Sequence, residues 1–351
     1  MSERTTVRPT IGVTADFDRS FTERLEKVAD VKYGGWGVTD TVSSGSELIE
    51  FLDGVDILVV AWEVIDAEVL SKSDLKYIAS VRGGPGANVD LDAAAARGIP
   101  VTGTHGREAI PVAEFTFGLM IGLLRRIGHT FCEMRDRTLT SFNPPPPGDI
   151  GWGMEPSDPW NRYRGEDLYA KRLGLVGLGT VGRLVAERAL AFGMTVVYYD
   201  PYAAAMPGIV AVEIDELMST CDIVSVHARY STETHHLVGA EQIRLMKPSA
   251  ILVNTARPHI VDNVALMEAL ERSSIAGAAL DVHPKEPVDP DYRLLDMPNV
   301  LCTPHIAGSS SGVTYIQSLQ VVENVERYIC GEPLQTLVNK VEPAAGGDQG
   351  A

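Results

Sequence analysis

The sequence lacks the long, uncharged apolar run that a transmembrane helix requires, and it has few cysteines. No segment is both long enough and sufficiently free of charge to cross a bilayer. The first residues contain no apolar core of the kind found in signal peptides. The four cysteines, Cys132, Cys221, Cys302 and Cys330, form neither a close pair nor a zinc-binding spacing. We therefore expect a cytoplasmic protein with reduced thiols and no metal site.

Positive charge is also scarce. The chain has 47 acidic and 30 basic residues, which gives a formal net charge of −17. This balance argues against nucleic acid or an anionic membrane as a partner, because both repel a negative surface. A small anionic substrate remains possible, since it responds to the local field of its binding site. The length of 351 residues suits two domains, each large enough to bury a core.

The most informative stretch runs from Leu173 to Asp200. It reads as a short apolar strand, a glycine-rich turn at residues 177–182, a helix and a second strand that ends at Asp200. This order is the dinucleotide-binding fingerprint. Its glycines permit a tight turn, close approach of a pyrophosphate and close packing of helix on strand, while the helix N-terminus attracts phosphate. Asp200 is placed to accept hydrogen bonds from the adenine ribose, which favours NAD over NADP.

Six apolar runs of strand length, several of them separated by helix-like segments, occupy this part of the chain. They are residues 173–176, 195–199, 222–226, 250–253, 275–280 and 300–302. Six such strands predict a doubly wound parallel sheet, in which ligands bind outside the carboxyl ends of the strands. The groups that follow the runs should therefore line one edge. They are Gly177, Asp200, His227, Asn254 to Arg257, Asp281 and Thr303 to His305.

The N-terminal part of the chain predicts repeated βα units, with strands near residues 11–14, 56–61 and 75–81. Asn88 is placed to cap a helix around residues 91–97. A second glycine-rich turn begins at Arg82. This turn is either a plain connection or a cradle of backbone N–H groups for a carboxylate, with Arg82 beside it.

A strongly apolar helix is predicted from Ala109 to Arg126, as a bridge between domains or a surface for a partner subunit. The proline-rich segment at residues 143–160 predicts a loop or arm rather than a helix, and we favour an arm that clasps a second subunit. We expect a homodimer. A helix is predicted at residues 311–329, and the polar, glycine-rich residues 341–351 predict a disordered tail.

Three further blocks of sequence resemble the D-isomer-specific 2-hydroxyacid dehydrogenases. They are residues 253–257, Asp281-Val282 followed by Glu286-Pro287, and residues 303–308. With the fingerprint and the earlier glycine turn, the resemblance covers about residues 75–330. It implies an α/β fold of two doubly wound parallel-sheet domains. A Rossmann NAD-binding domain at 108–308 would be inserted into a flavodoxin-like substrate domain formed by 1–107 and 309–340.

The resemblance also implies NAD as cofactor and a 2-keto or D-2-hydroxy acid as substrate, with Arg257, Glu286 and His305 as the catalytic residues. Arg257 would offer the substrate carboxylate and carbonyl a planar guanidinium fork. His305 would give the proton to the carbonyl oxygen, because an imidazole titrates near neutrality. Glu286 would hold the imidazole and favour its cationic form.

The remaining site predictions are contacts to the two bound molecules. The residues expected to bind the cofactor are Gly177, Gly179, Thr180, Val181, Gly182, Asp200, Pro201, His227, Ala228, Thr234, Thr255, Ala256, Arg257, Asp281, His305 and Gly308. The residues expected to bind the substrate are Arg82, Gly83, Gly84, Arg257 and His305. Gly83 and Gly84 would hold the substrate carboxylate through backbone N–H groups.

The sequence departs from the family pattern at two points. Pro258 follows the catalytic arginine where relatives usually have glycine, and Arg229-Tyr230 stands where a proline is usual. Both departures concern the backbone on the nicotinamide side of the site.

Several alternatives stay open at this point. Arg82 resembles the arginine that precedes the glycine turn of phosphoglycerate dehydrogenases, so the substrate could be phosphorylated, with hydroxypyruvate or glyoxylate as close rivals. An NAD-sensing corepressor is a different class, and turnover of NADH with 2-keto acids separates it from an enzyme. A hydride donor of the formate dehydrogenase type would need glutamine in place of Glu286.

Overall fold

The structure, a computed structural model, describes residues 8–138 and 158–341. The predicted tail beyond residue 341 and most of the predicted proline-rich arm lie outside these ranges. The described end of the arm forms one helical turn, Pro159–Arg162, where no helix was predicted. The chain divides into two compact units: the first ends at Arg107 and resumes at Ser310, and the second runs from Glu108 to Ser309. None of the described helices combines the length and apolar character that crossing a membrane takes.

The first unit contains a parallel sheet of five strands in the order β2-β1-β3-β4-β5. This order is that of flavodoxin-like folds. The strands are β1 Thr10–Val13, β2 Asp30–Tyr33, β3 Ile57–Val60, β4 Tyr77–Ser80 and β5 Val101–Thr102. The helices between them are α1 Thr22–Val28, α2 Trp36–Thr39, α3 Gly45–Phe51, α4 Ala67–Ser71 and α5 Leu91–Ala96.

Two of these strands, β2 and β5, were not predicted from the sequence. Strand β2 lies at an edge of the sheet and alternates exposed with half-buried residues, so it has no continuous apolar run. Strand β5 has only two residues. The predicted cap of α5 was also wrong. Asp90 caps this helix by accepting a hydrogen bond from Ala93 N, while the Asn88 side chain donates to the Glu63 carbonyl.

The second unit contains a seven-stranded sheet in the order β12-β11-β10-β9-β6-β7-β8, and all neighbouring strands are parallel. This is the doubly wound Rossmann order with one strand added. All six predicted strands are present. The seventh, β8, was missed because it is a pair of exposed residues. The strands are β6 Arg172–Val176, β7 Thr195–Tyr199, β8 Val210–Ala211, β9 Ile223–Val226, β10 Ile251–Asn254, β11 Gly277–Leu280 and β12 Val300–Cys302.

The ends of two of the remaining helices can be compared with the predictions. The predicted apolar helix ends at Leu124 because Arg126 adopts a left-handed φ of 54°. Asp262 caps its helix through Val264 N and Ala265 N, as predicted. The helices are α6 Ala109–Leu124, α7 Ile127–Arg135, α8 Pro159–Arg162, α9 Thr180–Ala191, α10 Ile214–Thr220, α11 Ala240–Leu245, α12 Asn263–Glu271 and α13 Ser311–Cys330.

Helix α13 brings the end of the chain back onto the first unit. Its buried residues Val321, Val322 and Val325 join the core formed by β1, β3 and β4. The ring of Tyr328 stacks on that of Tyr77, with centroids 4.7 Å apart. The first unit is therefore built from both ends of the chain.

Candidate active site

The fingerprint turn joins β6 to α9, and its glycines are required by the local geometry. Gly177 has a φ of +100°, and a Cβ there would lie 2.5 Å from Ala228 N. A Cβ on Gly182 would collide with the carbonyl of Gly177. Around Gly179, by contrast, no atom of the described chain lies within 4 Å of the Cβ position. The turn is thus closed against β9 and open at the N-terminus of α9, where a pyrophosphate would fit between Gly179, Thr180 and Val181.

Asp200 connects the end of β7 to this turn. Its Oδ2 accepts a hydrogen bond from Leu178 N at 2.8 Å, and its Oδ1 accepts from Tyr202 N and Ala203 N at 2.9 and 3.0 Å. A carboxylate oxygen has two lone pairs, so acceptor capacity remains for ribose hydroxyls. The exposed Pro201 follows it. The predicted ribose contact stays a prediction.

His227 and Ala228 follow β9, directly beside the fingerprint turn. The His227 Nε2 and the Ser225 hydroxyl are 2.8 Å apart. Burial lowers the pKa of His227 to about 4, so its imidazole is neutral near pH 7. The Thr234 hydroxyl donates to the Arg229 carbonyl at 2.8 Å, which closes the loop that follows.

The two departures from the family pattern lie next to each other. The ring of Tyr230 is 5.8 Å from that of His259, measured between centroids, and His236 N donates to the His259 carbonyl. Arg257 has φ −141° and ψ 141°, the extended conformation that a following proline favours. Pro258 begins a 3₁₀ turn. The first N–H of a helical turn has no partner within the turn, so a proline at this position costs no hydrogen bond. The backbone thus accommodates Pro258.

Arg257 reaches the carboxyl edge of the sheet at the end of β10. The Asn254 side chain fixes this loop, because its Nδ2 donates to the Arg257 carbonyl and its Oδ1 accepts from Ala256 N. The Arg257 guanidinium is exposed and donates to the Ala256 carbonyl at 2.6 Å. Thr255 is buried, and its hydroxyl lies 3.1 Å from that of Thr116 on α6.

His305 and Glu286 form a direct pair. The Nδ1 of His305 lies 2.6 Å from Glu286 Oε2, and Glu286 Oε1 accepts a hydrogen bond from His283 N. Partial burial opposes ionisation of Glu286, but the hydrogen bonds from His305 and His283 outweigh it and lower the pKa of this carboxyl below its usual value. Glu286 is therefore ionised near neutral pH, and its bond to Nδ1 leaves the other ring nitrogen of His305 for a substrate.

His305 adopts a left-handed φ of +58°. For a residue other than glycine, this conformation costs on the order of 1–3 kcal/mol. The carboxylate of Asp281, which is fully buried, accepts hydrogen bonds from Ile306 N and Ala307 N and from the Thr303 hydroxyl. These bonds hold the loop that carries His305. Its carboxylate therefore has a structural role in this loop, and the predicted contact of Asp281 with the cofactor stays a prediction.

The second unit brings most of the predicted residues to one sheet edge. Arg257 follows β10, which pairs in parallel with β11, the strand that leads to Asp281 and Glu286. Gly308 ends the same loop as His305, next to Glu108 at the start of α6. His283 is a residue of this region that sequence reasoning missed, because no motif marks it.

The predicted substrate residues Arg82, Gly83 and Gly84 belong to the first unit and follow β4. The Arg82 guanidinium lies 4.6 Å from the centroid of the Trp62 ring. Gly83 and Gly84 are exposed, and around the Cβ position of Gly84 no described atom lies within 4 Å. The turn therefore presents accessible backbone.

The chain is similar to known proteins over most of its length. The family model of the D-isomer specific 2-hydroxyacid dehydrogenase, NAD binding domain, matches residues 117–307. The chain is 35% identical to the D-3-phosphoglycerate dehydrogenase of Methanocaldococcus jannaschii over 90% of this chain, but it spans only 56% of that relative's length. It is also 35% identical to the glyoxylate reductase of Thermofilum pendens, over 86% of both chains. The TT0316 protein from Thermus thermophilus has a similar structure, with a TM-score of 0.72 and 33% identity over 94% of this chain and 99% of that one.

Proposed function

The chain belongs to the D-isomer-specific 2-hydroxyacid dehydrogenase family, and we propose that it transfers hydride between NAD(H) and a 2-keto or D-2-hydroxy acid. One observation carries the proposal. His305 Nδ1 lies 2.6 Å from Glu286 Oε2, and His305 follows a strand of the same parallel sheet as the strands that lead to the fingerprint turn and to Arg257, which supports an acid–base role for the pair. A proton donor, a cation and a dinucleotide site are the parts that this reaction needs.

The residues around the fingerprint turn fit the dinucleotide. The open space at Gly179 and the N-terminus of α9 would hold the pyrophosphate, and Asp200 would accept from the adenine ribose. His227, Ala228, Thr234 and the loop after β10 would line the nicotinamide end. When bound, the reduced nicotinamide supplies the hydride.

The side chains of this unit account for the remaining steps. Arg257 binds the substrate carboxylate and polarises the carbonyl group. As hydride adds to the carbonyl carbon, the protonated His305 gives its proton to the carbonyl oxygen, and a hydroxyl group results. Glu286 keeps the imidazole oriented and balances its charge. In the oxidative direction, neutral His305 takes the hydroxyl proton and hydride leaves the same carbon.

A panel of 2-keto acids tests the proposal. We expect loss of NADH absorbance with at least one of glyoxylate, hydroxypyruvate, phosphohydroxypyruvate or pyruvate, because relatives named glyoxylate reductase and D-3-phosphoglycerate dehydrogenase are about equally similar. An Arg82→Ala variant distinguishes the substrate classes. If Arg82 binds a distal anion, this variant loses activity chiefly with the phosphorylated substrate. Tight NADH binding without turnover on any of these acids would support the corepressor alternative and contradict the proposal.

The negative charge of Asp200 predicts a preference for NADH over NADPH. We expect wild type to prefer NADH, because the carboxylate would repel the 2′-phosphate of NADPH. Asp200→Asn removes the charge and keeps one acceptor oxygen for the backbone N–H groups of this turn, so the ratio of kcat/KM for NADH over NADPH should fall about tenfold or more. The control is Asp222→Asn, an acid that accepts from Arg172 N at the opposite edge of the sheet. Equal use of both cofactors by wild type would refute the assignment of Asp200.

The role of the Glu286 carboxylate can be tested through the pH dependence of the reduction reaction. Reduction needs the His305–Glu286 pair to hold a proton on the imidazole, and the negative charge favours that state. In Glu286→Gln the alkaline limb of the pH profile for reduction should move to lower pH, because the pair loses the ionised carboxylate. Glu133→Gln is the matched control, because Glu133 lies 3.6 Å from His129 in a second His–Glu pair on α7. A profile that does not move in Glu286→Gln would exclude Glu286 as the partner.

A homodimer and a cytoplasmic location complete the proposal. Helix α7 exposes an apolar stripe, Ile127, Phe131 and Met134, whose side chains are 53%, 63% and 55% exposed. Their spacing puts them on one helix face, and stripes of this kind mark interaction surfaces. We propose a second copy as the partner, and light scattering should give twice the chain mass. A monomer at all concentrations would contradict it. The four cysteines are free, which is consistent with the cytoplasm.

A further inference from the structure

His283 lies in the loop that leads from β11 to Glu286. Its side chain is only 4% exposed, and its ring packs edge-on against the ring of Tyr292, with centroids 5.6 Å apart. Neither cofactor binding nor the proposed proton transfer uses this buried imidazole. Its contacts nevertheless point to the acid–base pair.

His283 contacts Glu286 through its backbone N–H and the loop that carries His305 through its ring. Its backbone N–H donates to Glu286 Oε1 at 2.9 Å. Its ring Nε2 lies 2.9 Å from the carbonyl oxygen of Thr303. Since a carbonyl oxygen can only accept, Nε2 carries the proton and donates it.

The Thr303 carbonyl is also the acceptor for the backbone of the proton donor. His305 N donates to the same oxygen at 3.0 Å, at the start of the turn in which His305 takes its left-handed φ. One imidazole is thus bound to the turn that carries His305, while the N–H of the same residue is bound to Glu286. These hydrogen bonds form a bridge that connects the backbone of His305 to the Glu286 carboxylate through His283.

A cavity of about 500 Å³ borders this bridge on one side. The cavity is lined by His283, Glu286, Pro287, Val288, Leu295, Cys302, Thr303 and Pro304. Side chains and backbone next to such a space have fewer packing neighbours on that side, so their hydrogen bonds contribute more to holding them in place.

We propose that His283 is a positioning residue for the reaction: through its Nε2 bond to Thr303 and its N–H bond to Glu286, it sets the distance and angle between His305 and Glu286. This inference rests on the proposed function. The alternative is a packing role against Tyr292. Among the described residues, neither His283 Nδ1 nor the Tyr292 hydroxyl has a hydrogen-bond partner, so the ring contact between them is apolar.

The test compares His283→Gln with His283→Met. The two side chains have similar length, but only glutamine offers an N–H donor to the Thr303 carbonyl. We expect His283→Met to lower kcat by roughly ten- to a hundredfold with KM changed less than about threefold, because misplacement of a proton donor affects the chemical step. His283→Gln should retain kcat within about threefold. Tyr292→Phe is the control for packing and should match wild type.

A second readout does not need turnover. The proton between His305 Nδ1 and Glu286 Oε2 should give a downfield NMR resonance in wild type and His283→Gln, and this resonance should move upfield or broaden in His283→Met. Thermal melting of each variant verifies that it is folded. If wild type reduces 2-keto acids and the Gln and Met variants do not differ in kcat or in the resonance, the positioning role is wrong. If wild type does not turn over, the proposed function fails, and the resonance alone decides whether His283 positions the pair.

Discussion

Replacing His305 with alanine is expected to lower kcat for reduction of a 2-keto acid by a factor on the order of 10² to 10⁴. Without the imidazole, only water can give a proton to the carbonyl oxygen as hydride adds. His305 Nδ1 lies 2.6 Å from Glu286 Oε2, and this contact orients the ring. The substitution therefore removes an oriented proton donor. Binding of NADH should change less than kcat, because the pyrophosphate and adenine ribose would bind at the fingerprint turn beside β6, four strands from β12, and His305 would contact only the nicotinamide end. Stopped-flow or steady-state loss of NADH absorbance measures the effect.

The matched control is His129→Ala. His129 on α7 also pairs with a glutamate, Glu133, at 3.6 Å, but it lines a cavity with Pro298 and Val300, at the amino end of β12. We expect wild-type kcat from this variant. Near-wild-type turnover by His305→Ala would remove His305 from the mechanism, and melting curves exclude a folding defect as the cause of a loss.

Replacing Arg257 with alanine should lower kcat/KM by roughly 10² to 10⁴, since two hydrogen bonds to a charged group are worth about 1.5–3 kcal/mol each. The loss should appear in both constants. KM rises because the substrate carboxylate loses the guanidinium group that binds it. The value of kcat falls because the substrate carbonyl loses the cation that polarises it. Kinetics with a 2-keto acid, compared with NADH affinity by fluorescence, separate substrate effects from cofactor effects.

Two variants test whether the planar geometry of Arg257 matters as well as its charge. Arg257→Lys keeps the charge but not the planar fork, so its activity should lie between those of wild type and Arg257→Ala. Arg244→Ala removes an exposed cation on α11, 3.9 Å from Glu241, and should leave kcat/KM unchanged. If Arg257→Ala and Arg244→Ala gave the same small effect, Arg257 would be a surface cation.

The local sequence was enough to predict the parts of the fold that depend on continuous apolar runs and on caps. The six main strands of the second unit, the glycine turn and the Asp262 cap follow from such patterns, because each depends on residues close in the chain. Edge and short strands were missed, since β2 is half exposed and β5 and β8 each have two residues. Asn88 was wrongly chosen as a cap because its competing partner, the Glu63 carbonyl, lies far away in sequence.

In the candidate site, too, some features were predicted from the sequence and others are visible only in the tertiary structure. The resemblance of the sequence to a known family implied Arg257, Glu286 and His305 as the catalytic residues, and the positions of Arg257 and His305 after strands predicted a shared sheet edge. Only the tertiary structure decided how they are held. The Asp281 carboxylate binds the His305 loop, and the His283 ring binds Thr303, through contacts between the segment that follows β11 and the segment that follows β12. Such contacts depend on the distance and direction of groups brought together by parallel strands, which no local pattern of residues encodes.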